Sequence, residues 1–354
     1  MSPNCIDNMM NLPQPLVSVI ILNYNGKKVI RPCLESLINQ TYKNLETIVV
    51  DNASADGSVE IIKKDFPSVR LIINEANLGF GAGNNIGIGA AAGEFLLVLN
   101  NDARLESDCV EELVRSINKD QKYGACAAKI LLEYEKGLLD VAGIAICSDG
   151  ISIGRGRLEP HDRFNTEEEV FFASGCASLY RRKMLDDIRL SDEIYDEDFF
   201  AYADDTDLGW RAQLAGWKCI YNPKAIVYHL HSASTSNYSS LKAFLVERNR
   251  IWVAVKNFTL TMLLSGLFYT FRRYYFQTYG VLKGKGASGK FAKEAKKTEL
   301  LKILINANIC AVKGLPAMLG KRRQIFKKKR IGDKEIQELF KRFGLSAKEI
   351  ALKE

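Results

Sequence analysis

The chain of 354 residues is long enough for one large α/β domain and a smaller second unit, and its 47% hydrophobic and 26% charged residues are those of an ordinary folded protein. The net charge of +7 hides a division, because residues 241–354 contain 26 Lys/Arg against 8 Asp/Glu (+18) and residues 1–240 carry −11. The acidic front argues against a nucleic-acid-binding surface there, since phosphate backbones require basic patches. The two parts are therefore expected to face different partners.

The first fifteen residues are polar and lack the basic-then-apolar pattern of a signal peptide, so we expect the chain to be cytoplasmic. Eight cysteines are scattered singly with no CxxC pair, which indicates neither a zinc site nor a disulfide framework. We expect most of them to be small buried residues in a reducing compartment.

Short apolar runs alternate with segments of helical spacing over the first hundred residues. The predicted strands are 16–22, 45–50, 69–73 and 95–99, and the predicted helices between them are 29–39, 58–65 and 86–92. This order predicts an α/β fold with a mostly parallel sheet and helices on both faces. Ligands of such sheets bind at the carboxyl ends of the strands, where polar residues follow each predicted strand.

The second part of the chain is less regular. A helix is predicted at 108–119 and another at 204–215, and strands are predicted at 171–180, 218–220 and 225–228. From Ser239 the pattern is helical to the end.

The glycine-rich segment 77–87 invites comparison with a dinucleotide-binding loop. Starting from Gly79 or Gly81, however, the third glycine of G-x-G-x-x-G is replaced by Asn84 or Ile86. A dehydrogenase is therefore disfavoured. Glycines here are better explained by close approach of the backbone to a ligand or a neighbouring strand.

Three segments with acidic or histidine residues could take part in catalysis or metal binding, and each could instead have a purely structural role. Asp102 after the fourth strand can hold a divalent cation or cap a turn. Asp204 and Asp205, with Asp207, open a predicted helix, where acids favour the dipole or provide a base that removes a proton. His229 and His231 are spaced as metal ligands, or one is packed and the other solvated.

Five segments, taken in order, resemble the family 2 glycosyltransferases, particularly the rhamnosyltransferase-like branch. They are 17–25, 49–58, 77–85, 99–102 and 199–208. The resemblance covers roughly residues 16–250. It implies a GT-A-type nucleotide-diphospho-sugar transferase fold, a nucleotide-sugar donor such as dTDP-rhamnose or a UDP-sugar, and inversion at the anomeric carbon in one displacement.

The resemblance also implies roles for individual residues. Asp205 corresponds to the general base, and Asp204 beside it stands where the family usually has Glu. Asp102 and His229 would hold a divalent cation, Mg²⁺ or Mn²⁺, with Asn100 in place of a second acid. The donor nucleotide would be bound by residues that follow the strands, namely Asn23, Tyr24, Asp51, Asn77, Asn84, Asn85 and Asn101.

The chain is accordingly predicted to have a short extension (1–14), a catalytic domain (15–240) and a basic helical region (241–354). The stretch 251–271 is marginal for a membrane span, whereas apolar faces flanked by clustered cations favour binding at an anionic membrane surface. The protein would then lie at the inner face of the cell membrane and act on a glycan or lipid-linked glycan. A helical subdomain or a homodimer interface is the alternative.

Two other functions fit less well. A nucleotidyltransferase would need a glycine-rich loop with Arg and Lys after the first strand, and 23–26 has neither. A catalytically silent scaffold for surface-polysaccharide assembly would keep the fold, but the intact Asp102, Asp205 and His229 argue against it.

Overall fold

The computed structural model describes residues 14–230, 239–284 and 297–352. Its strands are β1 (Val17–Asn23), β2 (Leu45–Asp51), β3 (Arg70–Ile73), β4 (Phe95–Asn100), β5 (Ala103–Leu105), β6 (Tyr123–Leu132), β7 (Leu139–Val141), β8 (Ile144–Ile146), β9 (Ser152–Gly154), β10 (Glu168–Val170), β11 (Ala177–Arg181) and β12 (Lys218–His229). Its helices are α1 (Ile30–Ile38), α2 (Ser58–Asp65), α3 (Gly79–Ala90), α4 (Cys109–Ile117), α5 (Arg182–Ile188), α6 (Asp204–Leu214), α7 (Ser240–Asn257), α8 (Leu260–Lys283), α9 (Lys297–Lys313), α10 (Leu315–Lys328), α11 (Asp333–Phe343) and α12 (Ala347–Leu352).

The main sheet is mixed. Its order is β10-β12-β6-β11-β4-β1-β2-β3. The four strands β4, β1, β2 and β3 are parallel to one another, as the sequence predicted. Strand β11 then runs antiparallel to both β4 and β6, so the parallel arrangement does not extend across the whole sheet.

Alternating side chains of the central strands enter two separate cores. In β1, Ile20 belongs to one core and Val19 and Ile21 to the other, as expected for a strand covered on both faces. In β4, Leu96 packs on the first side and Leu97 on the second. Helices therefore cover both faces, and the carboxyl ends of the strands remain as the open edge.

Helix α3 begins seven residues earlier than the predicted helix 86–92. A glycine-rich sequence has poor helix propensity, which is why its first two turns were missed. The structure supplies the compensating contacts: a Cβ at Gly83 would collide with Leu22, and a Cβ at Gly87 would collide with Ile20. The glycines let the helix lie directly on the sheet.

Two strand predictions need correction. The predicted strand 171–180 is a strand only from Ala177, and the residues before it form a loop at the sheet edge. The short strands 218–220 and 225–228 are one strand, β12, whose register shifts between Asn222 and Ile226. Pro223 has no N–H to give to the ladder, so a bulge fits this position.

The stretch 251–271 is not one helix. Helix α7 ends at Asn257, Phe258 is extended and buried, and α8 begins after Thr259, whose side chain caps it. Trp252 and Phe258 belong to the same core as Trp210 of α6. The first part of the stretch is therefore interior packing.

No single described helix has both the length and the hydropathy to cross a membrane. The segments Thr298–Lys313 and Leu315–Lys328 are long and apolar enough only when they are taken together, and they are bent by 59° relative to each other. The seven described cysteines are free, and all but Cys310 are buried, as expected; Cys5 lies outside the described residues.

Candidate active site

The carboxyl ends of β1, β2 and β4 hold a connected group of polar side chains. Asn23 is fully buried and donates to the Asp51 carboxylate (2.7 Å) and to Ser58 Oγ (3.0 Å). Asn101 donates to the Asn23 oxygen at 2.9 Å. Three residues that the sequence predicted for donor binding therefore meet at one place, because parallel strands end at the same edge.

The predicted residues Asn77 and Tyr24 flank this group. The oxygen of Asn77 accepts from Asn52 (3.2 Å) and from the N–H of Gly79 (3.0 Å) at the start of α3. Tyr24 follows β1 and is 43% exposed, so its ring is available to a ligand. Asn52 was not singled out from the sequence, although it directly follows Asp51.

Asn84 and Asn85 lie on α3 and contact protein atoms. The Asn84 amide donates to the Phe80 carbonyl (2.9 Å), while its buried oxygen has no hydrogen-bond partner among the described residues. Asn85 exchanges two hydrogen bonds with the Tyr195 backbone, at 2.8 and 2.9 Å. Their assignment to the donor site remains a prediction, and for Asn85 the described contacts tie the side chain to the 195–197 segment.

Asp102 and His229, the predicted metal ligands, are in direct contact. His229 Nε2 lies 3.2 Å from Asp102 Oδ1, because β5 pairs with the end of β12 and brings residues 102 and 229 together. His229 Nδ1 lies 2.8 Å from Asp140 Oδ2, and Asp140 in turn forms an ion pair with Arg157. His231 lies outside the described residues.

The surroundings of His229 favour a proton on its imidazole, and a cation bound at Nε2 would have to displace that proton. Burial alone lowers the pKa of the imidazole, but the Cys176 thiol and the carboxylates of Asp102 and Asp140 outweigh that effect, so the pKa lies well above its ordinary value. A histidine whose second nitrogen is held by a carboxylate has a fixed ring orientation, a common arrangement for metal-ligating histidines. Among the described residues, no group of three or more His, Cys, Asp or Glu side chains is arranged to hold a metal alone.

The predicted base, Asp205, lies at the start of α6 and is partly exposed. Its carboxylate accepts from the backbone N–H of Gly175 (3.0 Å) and of Thr206 (2.8 Å). Gly175 and Cys176 are adjacent, and the N–H of Asn100 donates to the Cys176 carbonyl at 2.8 Å. This loop therefore joins the Asp205 site to the end of β4, two residues before Asp102.

The pKa values of the three acids in the first turn of α6 are shifted in different directions. Burial raises the pKa of Asp205, although the N–H groups of Gly175 and Thr206 oppose the rise. Burial and the adjacent Asp205 raise the pKa of Asp204 well above its ordinary value, and one of its oxygens has no partner among the described residues. Asp207 is also buried, yet Lys256 and Arg211 lower its pKa to about 2.

The loop before Asp204 is strained. Phe200, Tyr202 and Ala203 have φ of 65°, 68° and 65°, a region that residues with a side chain rarely adopt. Asn249 of α7 donates to the carbonyls of Phe199 (3.1 Å), Ala201 (2.8 Å) and Tyr202 (2.8 Å). One amide from the C-terminal region thus holds the loop that positions the acids.

A cleft of about 290 Å³ opens beside Asp205. Its apolar wall includes Ile144 and Ile153, and its polar wall includes Ser174, Asp205 and Lys242. Lys242 makes no ion pair with another described residue, and its ammonium faces the Tyr202 ring at 5.5 Å. Burial and the nearby Arg157 lower the pKa of Lys242, partly offset by Asp140.

The site thus combines a partly exposed carboxylate on a cleft, a buried Asp–His pair and a cluster of polar side chains at the strand ends. A family model described as "Glycosyl transferase family 2" matches residues 18–189. Residues 18–189 are therefore similar to glycosyl transferase family 2. The protein is a glycosyltransferase, as the sequence predicted.

Individual relatives agree. EpsH of Bacillus subtilis, named as a glycosyltransferase, is 29% identical over 254 residues, which are 67% of this chain and 71% of EpsH. An N-acetylglucosaminyl-diphospho-decaprenol L-rhamnosyltransferase of Mycobacterium tuberculosis is 26% identical over 270 residues, 67% of this chain and 86% of that protein.

A solved structure shares the fold of this glycosyltransferase. GalNAc-T7, crystallised with UDP, GalNAc and Mn²⁺, superposes with a TM-score of 0.58 at 17% identity. The superposition covers 83% of this chain and about half, 54%, of GalNAc-T7. At this identity the likeness establishes the fold alone, and it confirms the predicted GT-A-type architecture with an added C-terminal helical region.

Besides Asn52, sequence reasoning missed two residues of the site. Asp140 contacts His229 across 89 positions of sequence, and it lies in the irregular segment before residue 169, where no pattern marks it. Asn249 lies in the charged run 247–250, just before the apolar stretch 251–271. It stands between Arg248 and Arg250, and nothing in this charged sequence indicates which carbonyls the Asn249 amide contacts.

Proposed function

We propose that this glycosyltransferase moves a sugar from a nucleotide-sugar donor to a hydroxyl of a glycan or lipid-linked glycan, with inversion at the anomeric carbon. The observation that carries the proposal is the placement of Asp205. Its carboxylate is partly exposed on a cleft, and the Gly175–Cys176 loop links it to the Asp102–His229 pair. This connection supports a mechanism in which the base and the cation that binds the diphosphate are held by the same loop.

The residues of the cleft suggest how one displacement would proceed. The acceptor hydroxyl gives its proton to Asp205, and its oxygen forms a bond to the anomeric carbon. The bond from that carbon to the diphosphate breaks on the opposite face, and the nucleoside diphosphate leaves. The raised pKa of Asp205 makes it a stronger base than an exposed carboxylate.

The donor would lie along the strand ends. The buried Asn23 and Asp51 and the partly buried Asn101 would form a polar floor for the nucleoside, with the exposed Tyr24 beside it. The structure of GalNAc-T7 contains UDP, and the Mycobacterium tuberculosis relative is named as an L-rhamnosyltransferase. A UDP-sugar and dTDP-rhamnose are therefore the two donors we propose to test first.

The donor atoms of Asp102 and His229 fit a divalent cation, either Mg²⁺ or Mn²⁺. A carboxylate oxygen and an imidazole nitrogen face one another, and Asp140 fixes the ring from behind. The remaining ligands would be diphosphate oxygens and water, as is usual for these ions. When bound, the cation would supply neutralisation of the charge that develops on the leaving diphosphate.

We propose a lipid-linked acceptor and a location at the inner face of the cell membrane. The support is the name of the Mycobacterium tuberculosis relative, which describes a diphospho-decaprenol acceptor, and the +18 charge of residues 241–354. In the cleft, the ammonium of Lys242, which makes no ion pair with a described residue, would suit an acceptor with a phosphate near the reacting sugar.

The purified full chain tests the chemistry directly. We expect release of nucleoside diphosphate from a UDP-sugar or dTDP-rhamnose that requires Mg²⁺ or Mn²⁺. Asp205→Asn is expected to reduce turnover at least about a thousandfold because it removes the base, while nucleotide binding measured by thermal shift persists. Asp186→Asn, an exposed carboxylate of α5, serves as the control. Turnover by Asp205→Asn close to that of the wild type would refute the assignment, and no turnover with any donor would favour the scaffold alternative.

A further inference from the structure

Helix α8 exposes a continuous apolar stripe on the side opposite its packed face. Its buried positions, Gly266, Arg273 and Gly280, recur every seven residues and face the protein. At 100° per residue the exposed large apolar side chains fall within an arc of about 120°. They are Leu260, Leu264, Leu267, Phe268, Phe271, Tyr275, Tyr279 and Leu282, each between 43% and 72% exposed.

Helix α9 exposes a second, narrower stripe. Its members, Leu301, Ile305, Ile309 and Val312, are 50–63% exposed and fall within an arc of about 80°. Both helices pack on α7, α9 along its length and α8 through contacts such as the hydrogen bond from Arg250 to the Tyr274 hydroxyl (2.9 Å). Single exposed apolar residues are ordinary, but contiguous rows of this size mark a surface that contacts something apolar.

The charge around the stripes identifies the partner. Between residues 248 and 332 the sequence has 20 Lys/Arg and only 2 Asp/Glu. Arg272 and Lys283 border the α8 stripe, Lys302 and Lys313 border the α9 stripe, and all four are exposed. A second copy that paired through the same face would present the same positive charge and be repelled, whereas anionic lipid headgroups would be attracted.

We propose that the α8 and α9 stripes insert into the interfacial layer of an anionic membrane, with these helices parallel to the bilayer plane. Helix α8 has 24 residues, about 36 Å, over which its apolar face can be buried while its flanking cations reach headgroups. The two stripes are the surface by which the protein would reach the membrane location proposed above. The inference rests on the proposed function only for the nature of the acceptor.

The arrangement also connects the membrane to the active site. Helix α7 contacts both stripe-bearing helices and carries Asn249, which holds the loop before Asp204. It also carries Lys242, which lines the cleft. An enzyme seated by α8 and α9 would thus hold its cleft in a fixed relation to the bilayer, where a lipid-linked acceptor resides.

Vesicle flotation of the full chain tests the proposal. At low salt we expect binding to phosphatidylcholine vesicles that contain about one-third phosphatidylglycerol, weak binding to phosphatidylcholine alone, and release at high salt. Leu267→Asn with Phe271→Asn is expected to weaken binding at least about tenfold, since two apolar side chains no longer enter the interface. Ile38→Asn with Ile73→Asn, similarly exposed positions on α1 and β3, is the matched control and should bind as the wild type does.

Three outcomes would overturn the inference. These are no binding of the wild type to anionic vesicles, equal binding of the stripe variant, or a wild-type dimer that the stripe variant converts to monomer without lipid. Release of nucleoside diphosphate in vesicle-free solution is measured for the same variants and should not change. Vesicle binding without any such release would instead count against the proposed chemistry alone.

Discussion

Asp204 and Asp205 are adjacent but are solvated differently. Asp205 faces the cleft and accepts two backbone hydrogen bonds, which keep its charged form accessible. Asp204 is buried, and one oxygen has no partner among the described residues. A buried carboxylate without a compensating donor costs stability whenever it is ionised.

We therefore expect Asp204→Asn to stabilise the fold at neutral pH. The folded-state pKa of Asp204 is raised, so as pH rises above about 4 the unfolded chain loses its proton first and the native state becomes less stable. Removing the charge should increase the free energy of unfolding by about 1–2 kcal/mol at pH 7.

Urea unfolding at pH 7 and pH 4 measures this effect. The gain should shrink at pH 4, where the carboxyl is protonated in the native state, and Asp186→Asn should show no gain at either pH. Reduced or unchanged stability of Asp204→Asn at pH 7 would contradict the electrostatic explanation.

The positions of site residues were predictable where a residue follows closely after an apolar run. Asn23, Asp51 and Asp102 are marked in this way, because the strand before each is fixed by hydrophobicity alone. Asp140 has no such mark. Its contact with His229 depends on how β7 pairs with β6 and β6 with β12, which no local pattern encodes.

At the scale of elements, α3 exists because of its packing. Gly87 has its backbone against Ile20, whereas at Gly89, two residues later, an added Cβ would meet nothing within 4 Å. Substitutions at these two glycines therefore distinguish the effect of helix propensity from the effect of packing within a single helix.

We expect Gly87→Ala to destabilise the protein by about 1–2 kcal/mol, because the collision with the sheet exceeds the gain in helix propensity. Gly89→Ala should be neutral or stabilise by up to about 1 kcal/mol. Urea midpoints of the two variants provide the comparison. Equal effects in either direction would show that close packing does not determine where α3 lies.

Helix α7 is the second element whose role depends on contacts. Asn249→Ala removes three hydrogen bonds to a loop with three left-handed residues. The loop should then relax, and kcat should fall at least about tenfold while KM for the donor changes little.

Steady-state kinetics of Asn249→Ala, alongside Asn308→Ala on the exposed side of α9, tests this role. A lower melting temperature with unchanged kcat would mean that Asn249 contributes only to stability. The sequence could not indicate the role, because an asparagine on a charged helix is unremarkable until its acceptors are known.

At the scale of the whole molecule, the charge division at residue 240 does not coincide with a division of the core. Trp210 packs against Phe258 and Phe340, and Lys256 is buried beside Asp207 at 2.8 Å. Composition predicted two regions with different surfaces, and burial shows that they share one interior. The separate domains 15–240 and 241–354 remain a prediction about surface and function.

We expect a chain that ends at residue 239 not to fold cooperatively. It would expose Trp210 and leave Asp207 without Lys256, and breaking a buried ion pair costs about 3–5 kcal/mol. Near-ultraviolet circular dichroism and urea unfolding, beside the full chain, measure this. A soluble product with a sharp unfolding transition would show that residues 15–239 are independent.

The contacts of α7 also bear on how hybrid enzymes should be assembled from this protein and a relative. A junction near residue 240 follows the change in composition, but it would pair the acidic loop of one parent with the helix of the other. A junction after Phe258 keeps Asn249 and Lys256 with the carbonyls and carboxylates they contact. Recombination at that point would exchange helices α8 to α12 while keeping the contacts of Asn249 and Lys256 within one parent.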